Sequence, residues 1–536
     1  LKCYHDPFSV IVHVAHTRCL TAGPFVSPPG TRRMHYFLTL LISGISFVAL
    51  STSLAAEPID IGSRREPLVD HALIDAFEGG AQLKLHHPQA REIAIKFDRP
   101  WEGNASGYPT VFQDGAIYRM YYRGHRYLIG KRPLRQAQSE AVCYAESKDG
   151  IHWTKPNLGL YQWPGVDENN IIWMGTPAAH NFAPFKDVNP ESPAEQRYKA
   201  IGGTITSKGL WTFQSADGIH WKRLSDGPVV TKGAFDSHNT AFWDAQQNRY
   251  CMYVRYFGDG ESGGLRLIGM AHSTDFKTWT EPVGLDYPGS PPQQMYTNQI
   301  LPYYRAPHIL FGFPTRYVAR PLSKHVQQLP PVALRTKLID LSQRIGTDLT
   351  DGVFMSSRDG LSFQRWDEAF LRPGPEAEGR WIYGDNYQSY GLFETRSDIA
   401  GHPSEISLLF DEGAWRDAAH RLRRYTIRLD GFVSLNAPYA GGAMTTKPLT
   451  FDGSRLLVNY ATSAAGSLKV EIRGADGAPI PGFTLDDADE LFGDSTDQIT
   501  SWRSGSDVSL LAGKPVRLHF ELKDGDLYAF QFSQPD

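Results

Sequence analysis

Glu146-Ser147-Lys148-Asp149-Gly150-Ile151-His152-Trp153 is the stretch whose reading decides the fold, because its pattern returns three more times. The copies are Gln214-Ser-Ala-Asp-Gly-Ile-His-Trp221, His272-Ser-Thr-Asp-Phe-Lys-Thr-Trp279 and Ser356-Ser-Arg-Asp-Gly-Leu-Ser-Phe363. Asp-Gly favours the tight turn of a hairpin, where the carboxylate and the serine hydroxyl can bond local backbone. The aromatic residue that follows opens the next strand and is placed to pack in a seam between sheets. The serines stand at 147, 215, 273 and 357, spacings of 68, 58 and 84 residues, the period of propeller blades. The motif is therefore structural, and its aspartates are not expected to do chemistry.

Strand patterns surround each copy. An alternating aromatic run precedes each motif: Ala116–Arg123, Arg197–Ile201, Arg249–Arg255 and His308–Phe313. Before these lie shorter apolar runs suited to inner strands: Pro109–Gln113, Phe182–Phe185, Thr240–Trp243 and Gln299–Tyr303. A fifth unit, Asn386–Phe393, Glu405–Phe410 and Arg424–Leu429, has the strands without the motif. The longest spacing contains a polar stretch with helical periodicity at Val332, Leu334, Leu338, Leu341 and Ile345, read as an insertion over about 321–351. Beyond Asp430-Gly-Phe the alternation tightens, with turns at Asp452-Gly, Asp476-Gly and Asp524-Gly, a β-sandwich pattern.

The expected fold class is all-β. A five-bladed β-propeller is expected over 57–430 and a C-terminal β-sandwich over 431–536, with Leu68–Leu85 as the source of any sixth blade. The apolar run Phe37–Leu50 follows Met34 and ends in small residues near Ala56, which reads as a signal peptide over 34–56. Residues 1–33 carry no structural pattern and read as an upstream extension. The expected location is outside the cytoplasm, secreted or periplasmic. Cys143 and Cys251 fall in different repeats and are expected to be buried free thiols; Cys3 and Cys19 lie in the extension.

With 54 Lys and Arg against 58 Asp and Glu, the net charge is −4 and no charged block stands out. Nucleic acid and an anionic membrane are disfavoured as the main partner, and a neutral or polar ligand for a monomer suits the chain better. No zinc spacing, phosphate-binding glycine loop or nucleophile elbow is present. No cofactor is expected beyond at most a structural calcium.

The repeat form, the strand order and the segment Arg424–Gly431 resemble the five-bladed furanosidase-type glycoside hydrolases, the β-fructosidase and arabinanase-like superfamily, over about residues 98–536. The resemblance implies carboxylates at the starts of inner strands. This sequence has Tyr108-Pro109 where that group carries Asp-Pro, with Glu102 upstream. Lys186-Asp187 follows the second inner strand and reads as a turn, and the third unit offers Phe235-Asp-Ser-His-Asn239. Glycoside hydrolysis needs two carboxyl groups, one protonated and one ionised. The catalytic candidates are Glu102, Asp236 and Asp385, with Glu394 and Glu405 in reserve. Asn residues recur before inner strands, at His180-Asn181, His238-Asn239, Thr297-Asn298 and Asp385-Asn386. They read equally as sugar ligands or as caps of local backbone. The substrate-binding candidates are Trp101, Tyr108, His180, Asn181, His238, Asn239, Asn298, Arg316, Trp381 and Asn386. Arg123, Arg255 and Arg316 could neutralise an acidic sugar or pair between blades. The alternative to a hydrolase is a carbohydrate-binding propeller without an acid/base pair.

Overall fold

Each repeat folds into the same turn for reasons local to its residues. Ser147 Oγ accepts the Asp149 and Gly150 N–H at 3.2 and 2.9 Å, and the Asp149 carboxylate accepts those of Ile151 and His152 at 2.9 and 2.8 Å. The same bonds recur at Ser215/Asp217, Ser273/Asp275 and Ser357/Asp359. The residue after each Asp is left-handed, with φ of 73, 79, 63 and 79° at Gly150, Gly218, Phe276 and Gly360. Phe276 alone adopts that conformation with a side chain in the way.

The computed structural model describes residues 57–534 apart from 131–132, 259–263 and 418. The extension over 1–33, the expected signal peptide over 34–56, Cys3 and Cys19 lie outside the described residues. The described chain is mostly strand, as expected. Five antiparallel sheets follow one another. Sheet I holds Gly107–Asp114, Ile117–Gly124, Ala141–Ser147 and Trp153–Thr154, with Ile171–Met174 added beside the third strand. Sheet II holds Ala183–Lys186, Tyr198–Gly202, Trp211–Ser215 and Lys222–Arg223. Sheet III holds Thr240–Asp244, Arg249–Phe257, Arg266–Ser273 and Val283–Gly284. Sheet IV holds Leu301–Tyr303, Ala306–Gly312, Met355–Ser357 and Gln364–Arg365. Sheet V is built from Phe393–Thr395, Glu405–Glu412 and Arg421–Arg428, and its fourth strand is Gln89–Lys96 from the other side of the chain. That borrowed strand explains why the fifth unit lacks the motif: no hairpin follows its third strand.

The first strands of the sheets neighbour one another in order, sheet I touching both sheets II and V. The motif aromatics fill the seams. Trp153 of sheet I meets Phe393 of sheet V, and Trp221 of sheet II meets Tyr121 of sheet I. Phe276, in the turn of sheet III, meets Phe185 of sheet II, and Phe363 of the sheet IV motif meets Tyr253 of sheet III. Cys143 and Cys251 are buried free thiols, as expected.

The insertion is helical: α1 is Lys324–Gln328, α2 Val332–Leu341 and α3 Gln343–Thr347. It leads into a small sheet of Gln294–Met295, Thr315–Val318 and Leu349–Gly352. Two long strands, Arg455–Gly474 and Val516–Ser533, pair along much of their length and organise a ten-stranded sheet around Leu456, Val470, Trp502, Phe520 and Phe532.

One boundary is corrected. Residues 59–85 fall on the propeller side of the division at 430, yet they pair with C-terminal strands. Ile59–Gly62 runs parallel to Leu449–Phe451, Arg65–Pro67 pairs with the last long strand, Ile74–Gly79 with Gly442–Thr446, and Gln82–Leu85 with Val433–Ala437. Leu68–Leu85 thus supplies strands to the C-terminal sheet and none to a sixth blade. Asp430 fixes the junction: its buried carboxylate accepts Arg65 Nε at 2.7 Å, Tyr303 OH at 2.7 Å, Arg305 Nε at 3.0 Å and Asn459 Nδ2 at 2.9 Å.

Candidate functional site

At the starts of the inner strands, four of the residues singled out from the sequence come together: Tyr108, His180, Asp236 and His238. His180 is the hinge of the group. Its Nε2 lies 2.8 Å from Asp236 Oδ1 and its Nδ1 2.8 Å from Glu140 Oε1. Only a doubly protonated ring can donate to both carboxylates. Burial pulls the His180 pKa down, but the Glu140 charge and the bonds to both carboxylates outweigh it and the net shift is upward. Glu140 is pushed up by burial and pulled further down by His180 and Arg123, to about 2. For Asp236, desolvation is overcome by the bond and charge of His180 and by Arg255 and Arg123, so its carboxyl lies well below the ordinary value.

Asp236 combines this surrounding with access. Its side chain is 58% exposed, while His180 is 17% and Glu140 12% exposed. A carboxylate ringed by protein and still reached by water sits in an open cavity. Tyrosines pack around it: Tyr108, Tyr296, Tyr317, Tyr383 and Tyr387 form a largely buried cluster with Trp415, and Leu338 and Ile345 of the helical insertion belong to the same cluster. The Tyr108 ring stacks on His238 at 5.5 Å and on Tyr387 at 6.4 Å, and Tyr296 lies 5.5 Å from Tyr387 and 5.9 Å from Tyr383. Tyr108 holds this position at φ 50°, a conformation that non-glycine residues keep only when their surroundings over-determine it.

Beneath Tyr108, His238 is fully buried. Burial, reinforced by Arg123, lowers its pKa to about 3, so the ring is neutral. Gln299 Nε2 donates to its Nδ1 at 3.0 Å, which puts the proton on Nε2, 3.3 Å from Thr110 Oγ1. Arg123 is anchored on the Ala105 carbonyl at 2.7 and 3.1 Å and lies over the Tyr108 ring at 4.7 Å. Its NH1 is 3.4 and 3.3 Å from the two His180 nitrogens. That near-equal reach places the guanidinium over the imidazole face.

The other candidates lie elsewhere. Glu102 is fully buried, taking Tyr122 OH at 2.6 Å, the Arg99 N–H at 2.9 Å and Lys155 Nζ at 2.7 Å. Trp101 beside it donates to Asn170 Oδ1 at 2.8 Å. Asp385 is also fully buried, its two oxygens accepting the Ile382 and Ala414 N–H at 3.1 and 2.9 Å. Burial raises its pKa to about 6 against those bonds. Asn181, Asn239, Asn298 and Asn386 all spend their amides on backbone. Asn181 Nδ2, for example, donates to the Gly203, Phe235 and Ser237 carbonyls, and Asn298 Nδ2 to those of His238 and Tyr253. At these four positions the amide nitrogens bond backbone carbonyls. Arg316 forks onto Asp351 at 2.8 and 2.6 Å. Trp381 is half-buried and donates to the Gly374 and Pro375 carbonyls.

Glu394 lines a separate cavity of about 1060 Å³ at the far ends of the inner strands, with Gln113 and Tyr304. Glu405 borders another of about 270 Å³ and pairs with Arg91 at 3.0 Å. Neither cavity includes Asp236, so the site is identified by its chemistry rather than by volume. Glu140 escaped the sequence reading because nothing marks it locally; it sits one residue before a third strand and meets His180 only in the fold. Among the described residues, no group of three or more His, Cys, Asp or Glu is set to hold a metal ion.

No protein-family model matches the chain. An uncharacterised protein of Mycobacterium tuberculosis strain H37Rv is 26% identical over 155 residues, covering 28% of this chain and 46% of its own length. Its counterpart in strain CDC 1551 is 25% identical over 157 residues, with the same coverage of both chains. The chain spans about half the length of these curated relatives. Among solved structures it is similar to an N-acetylgalactosamine deacetylase from F. plautii in complex with blood group B trisaccharide, at 14% identity, 63% of this chain, 94% of that chain and a TM-score of 0.42. A fructofuranosidase from Schwanniomyces occidentalis matches at 14% identity, 82% and 97% coverage and a TM-score of 0.35. A β-fructofuranosidase of Bombyx mori matches at 9% identity, 83% and 95% coverage and a TM-score of 0.37. Solved glycoside hydrolases are among the other structures to which the chain is similar, at 17 and 11% identity and TM-scores of 0.40 and 0.37.

Proposed function

We propose that the chain is an exported glycoside hydrolase: a five-bladed β-propeller formed by sheets I to V, joined to a C-terminal β-sandwich, that cleaves a glycosidic bond over Asp236. The observation that carries this reading is an accessible, ionised carboxylate hydrogen-bonded to an imidazolium in a tyrosine-lined cavity. Glycoside hydrolysis adds water across the C–O bond, the hydroxyl going to the anomeric carbon and a proton to the leaving oxygen. Asp236 takes the anion's part, on water or on the anomeric carbon. His180 takes the proton donor's part, and Glu140 keeps its ring charged from the opposite edge. Because both carboxylates touch one imidazole, they lie within about 10 Å of each other, the span that carboxyl pairs of glycosidases use. The tyrosine faces suit the apolar faces of sugar rings, and their hydroxyls suit sugar hydroxyls.

One observation favours a second reading, a carbohydrate-binding propeller without turnover. Both site carboxylates are held ionised, and Asp385, with a pKa raised to about 6, is sealed from the cavity. The two readings separate on a panel of plant and algal oligosaccharides. The hydrolase reading expects new reducing ends with the wild type and a loss of about 10²–10⁴-fold in Asp236→Asn and His180→Gln, the usual contribution of one acid/base group. An unchanged rate in Asp236→Asn removes it from the mechanism, and tight binding without product leaves the binding reading standing.

A further inference from the structure

Most arginines drawn into this fold are matched by carboxylates. Arg65 pairs with Asp430, Arg358 with Glu66 and Asp70, and Arg424 with Glu92. The cavity over Asp236 departs from that habit. Arg123, Arg255, Arg266 and Arg344 come to it from sheet I, sheet III and α3, and among the described residues none has a carboxylate oxygen within 4.0 Å. They lie on aromatic faces instead. Arg255 lies over Tyr296 at 4.8 Å, Arg266 over Tyr317 at 3.9 Å and Arg344 over Tyr383 at 5.0 Å. Arg255 is 6% exposed and donates its Nε to the Ala234 carbonyl at 2.7 Å; Arg266 NH1 donates to Gln294 Oε1 at 2.7 Å while its buried Nε has no hydrogen-bond partner among the described residues, and Arg344 NH1 donates to Tyr317 OH at 3.4 Å. The anions facing this group are Asp236, Glu140 and Asp348, the last bonded to Tyr317 OH. Asp236 and Glu140 are already engaged by His180. Asp259 and Glu261 lie outside the described residues.

Guanidiniums stacked on tyrosines, with neutral oxygens as their hydrogen-bond partners among the described residues, leave a positive charge for an incoming anion to match. They are weakly hydrated, so they give up water readily to a planar or tetrahedral anion. We infer that this site takes acidic carbohydrate, a sugar bearing a carboxylate or a sulfate ester, with the anion seated against Arg255, Arg266 and Arg344 and the sugar ring on Tyr296 and Tyr383. The inference rests on the proposed carbohydrate site and names the substrate class for it. Stacking holds the arginines in place when the site is empty, so the acidic group meets donors already oriented.

The test compares matched ligands on the full chain: galacturonate oligosaccharides with their carboxyl-reduced counterparts, and sulfated galactan oligosaccharides with their desulfated ones. The expected result is at least tenfold tighter binding of one acidic member over its neutral twin at 50 mM salt, narrowing at 500 mM; which pair shows the gap distinguishes carboxylate from sulfate. Arg266→Gln and Arg344→Gln, each checked for an unchanged melting profile, are expected to shrink that gap about tenfold by removing a charge-assisted donor. Neutral twins bound as well as acidic ones would overturn the inference while leaving the carbohydrate site intact. Failure of every glycan to bind would overturn both.

Discussion

Asp187 offers a sharp separation of structure from chemistry, because its place beside Lys186 superficially echoes a catalytic motif. In the fold it lies at the seam of sheets II and III. Its Oδ2 takes the Lys199 ammonium and Tyr250 OH, the latter at 2.8 Å, and its Oδ1 takes the Asn189 N–H at 3.0 Å. Lys199 is 2% exposed, with Ser192 Oγ at 2.7 Å as a further acceptor. Asp187→Ala leaves a buried ammonium without its counter-ion, a loss of about 3–5 kcal/mol. Unfolding entropy near 2.1 cal/mol/K per residue gives roughly 0.7 kcal/mol/K for the stretch 89–430, so Tm should fall by about 4–7 °C. Differential scanning calorimetry reads this directly, and the double variant Asp187→Ala/Lys199→Met should recover most of the loss, since a neutral methionine replaces the stranded charge. Turnover or ligand affinity measured below the transition should stay at the wild-type level. An Asp187→Ala variant that melts like the wild type, or one that keeps its Tm but loses activity, would refute the reasoning.

Two further outcomes follow from local features. Burial holds the folded Asp385 carboxyl at about 6, above the unfolded value near 3.9, so as pH rises through that interval the unfolded chain ionises first and stability falls. The Tm difference between wild type and Asp385→Asn should therefore move against the wild type from pH 4 to 6 and level off above, read by melting curves across pH. Asp217→Ala removes the acceptor for the Ile219 and His220 N–H, each at 2.8 Å, from a half-exposed turn. It should cost about 1–2 kcal/mol in urea titrations while leaving glycan cleavage unchanged.

The repeated turn was legible because every bond in it joins residues within three positions of one another. Ser147, Asp149 and Gly150 carry their own geometry, and the seam partner of Trp153 follows from the repeat. The regularity of Asn before inner strands marks the sheet ends where the Asp236 cluster lies for an indirect reason. Asn181 and Asn239 bond backbone there, and the residues before them, His180 and His238, meet Asp236 and Tyr108. Asp385 shares the local pattern of Asp236 but turns both oxygens onto N–H groups of neighbouring segments, a choice set by Ala414, 29 residues away. Glu140 and Arg344 reach the cavity from a strand start and from the insertion, and neither bears a local signature. The pairing of Arg65–Pro67 with Ala529–Gln531 was equally hidden, because alternation shows that a segment is a strand without naming its neighbour.

The borrowed strand Gln89–Lys96 and the pairing of 59–85 with the C-terminal strands together set a timetable for the chain. Residues 59–96 find their partners only in strands made after sheets I to IV. During synthesis sheets I to IV can form as their hairpins emerge, whereas sheet V waits for Arg421–Arg428 and the ten-stranded sheet for Val516–Ser533. Until residues 421–451 emerge most strands of 59–96 lack their partners, and Arg65–Pro67 lacks its own until Val516–Ser533 is made, the state most exposed to wrong association. A ribosome stalled before about residue 421 would hold Gln89–Lys96 without its partner in sheet V, and one stalled before about residue 516 would hold Arg65–Pro67 without its own.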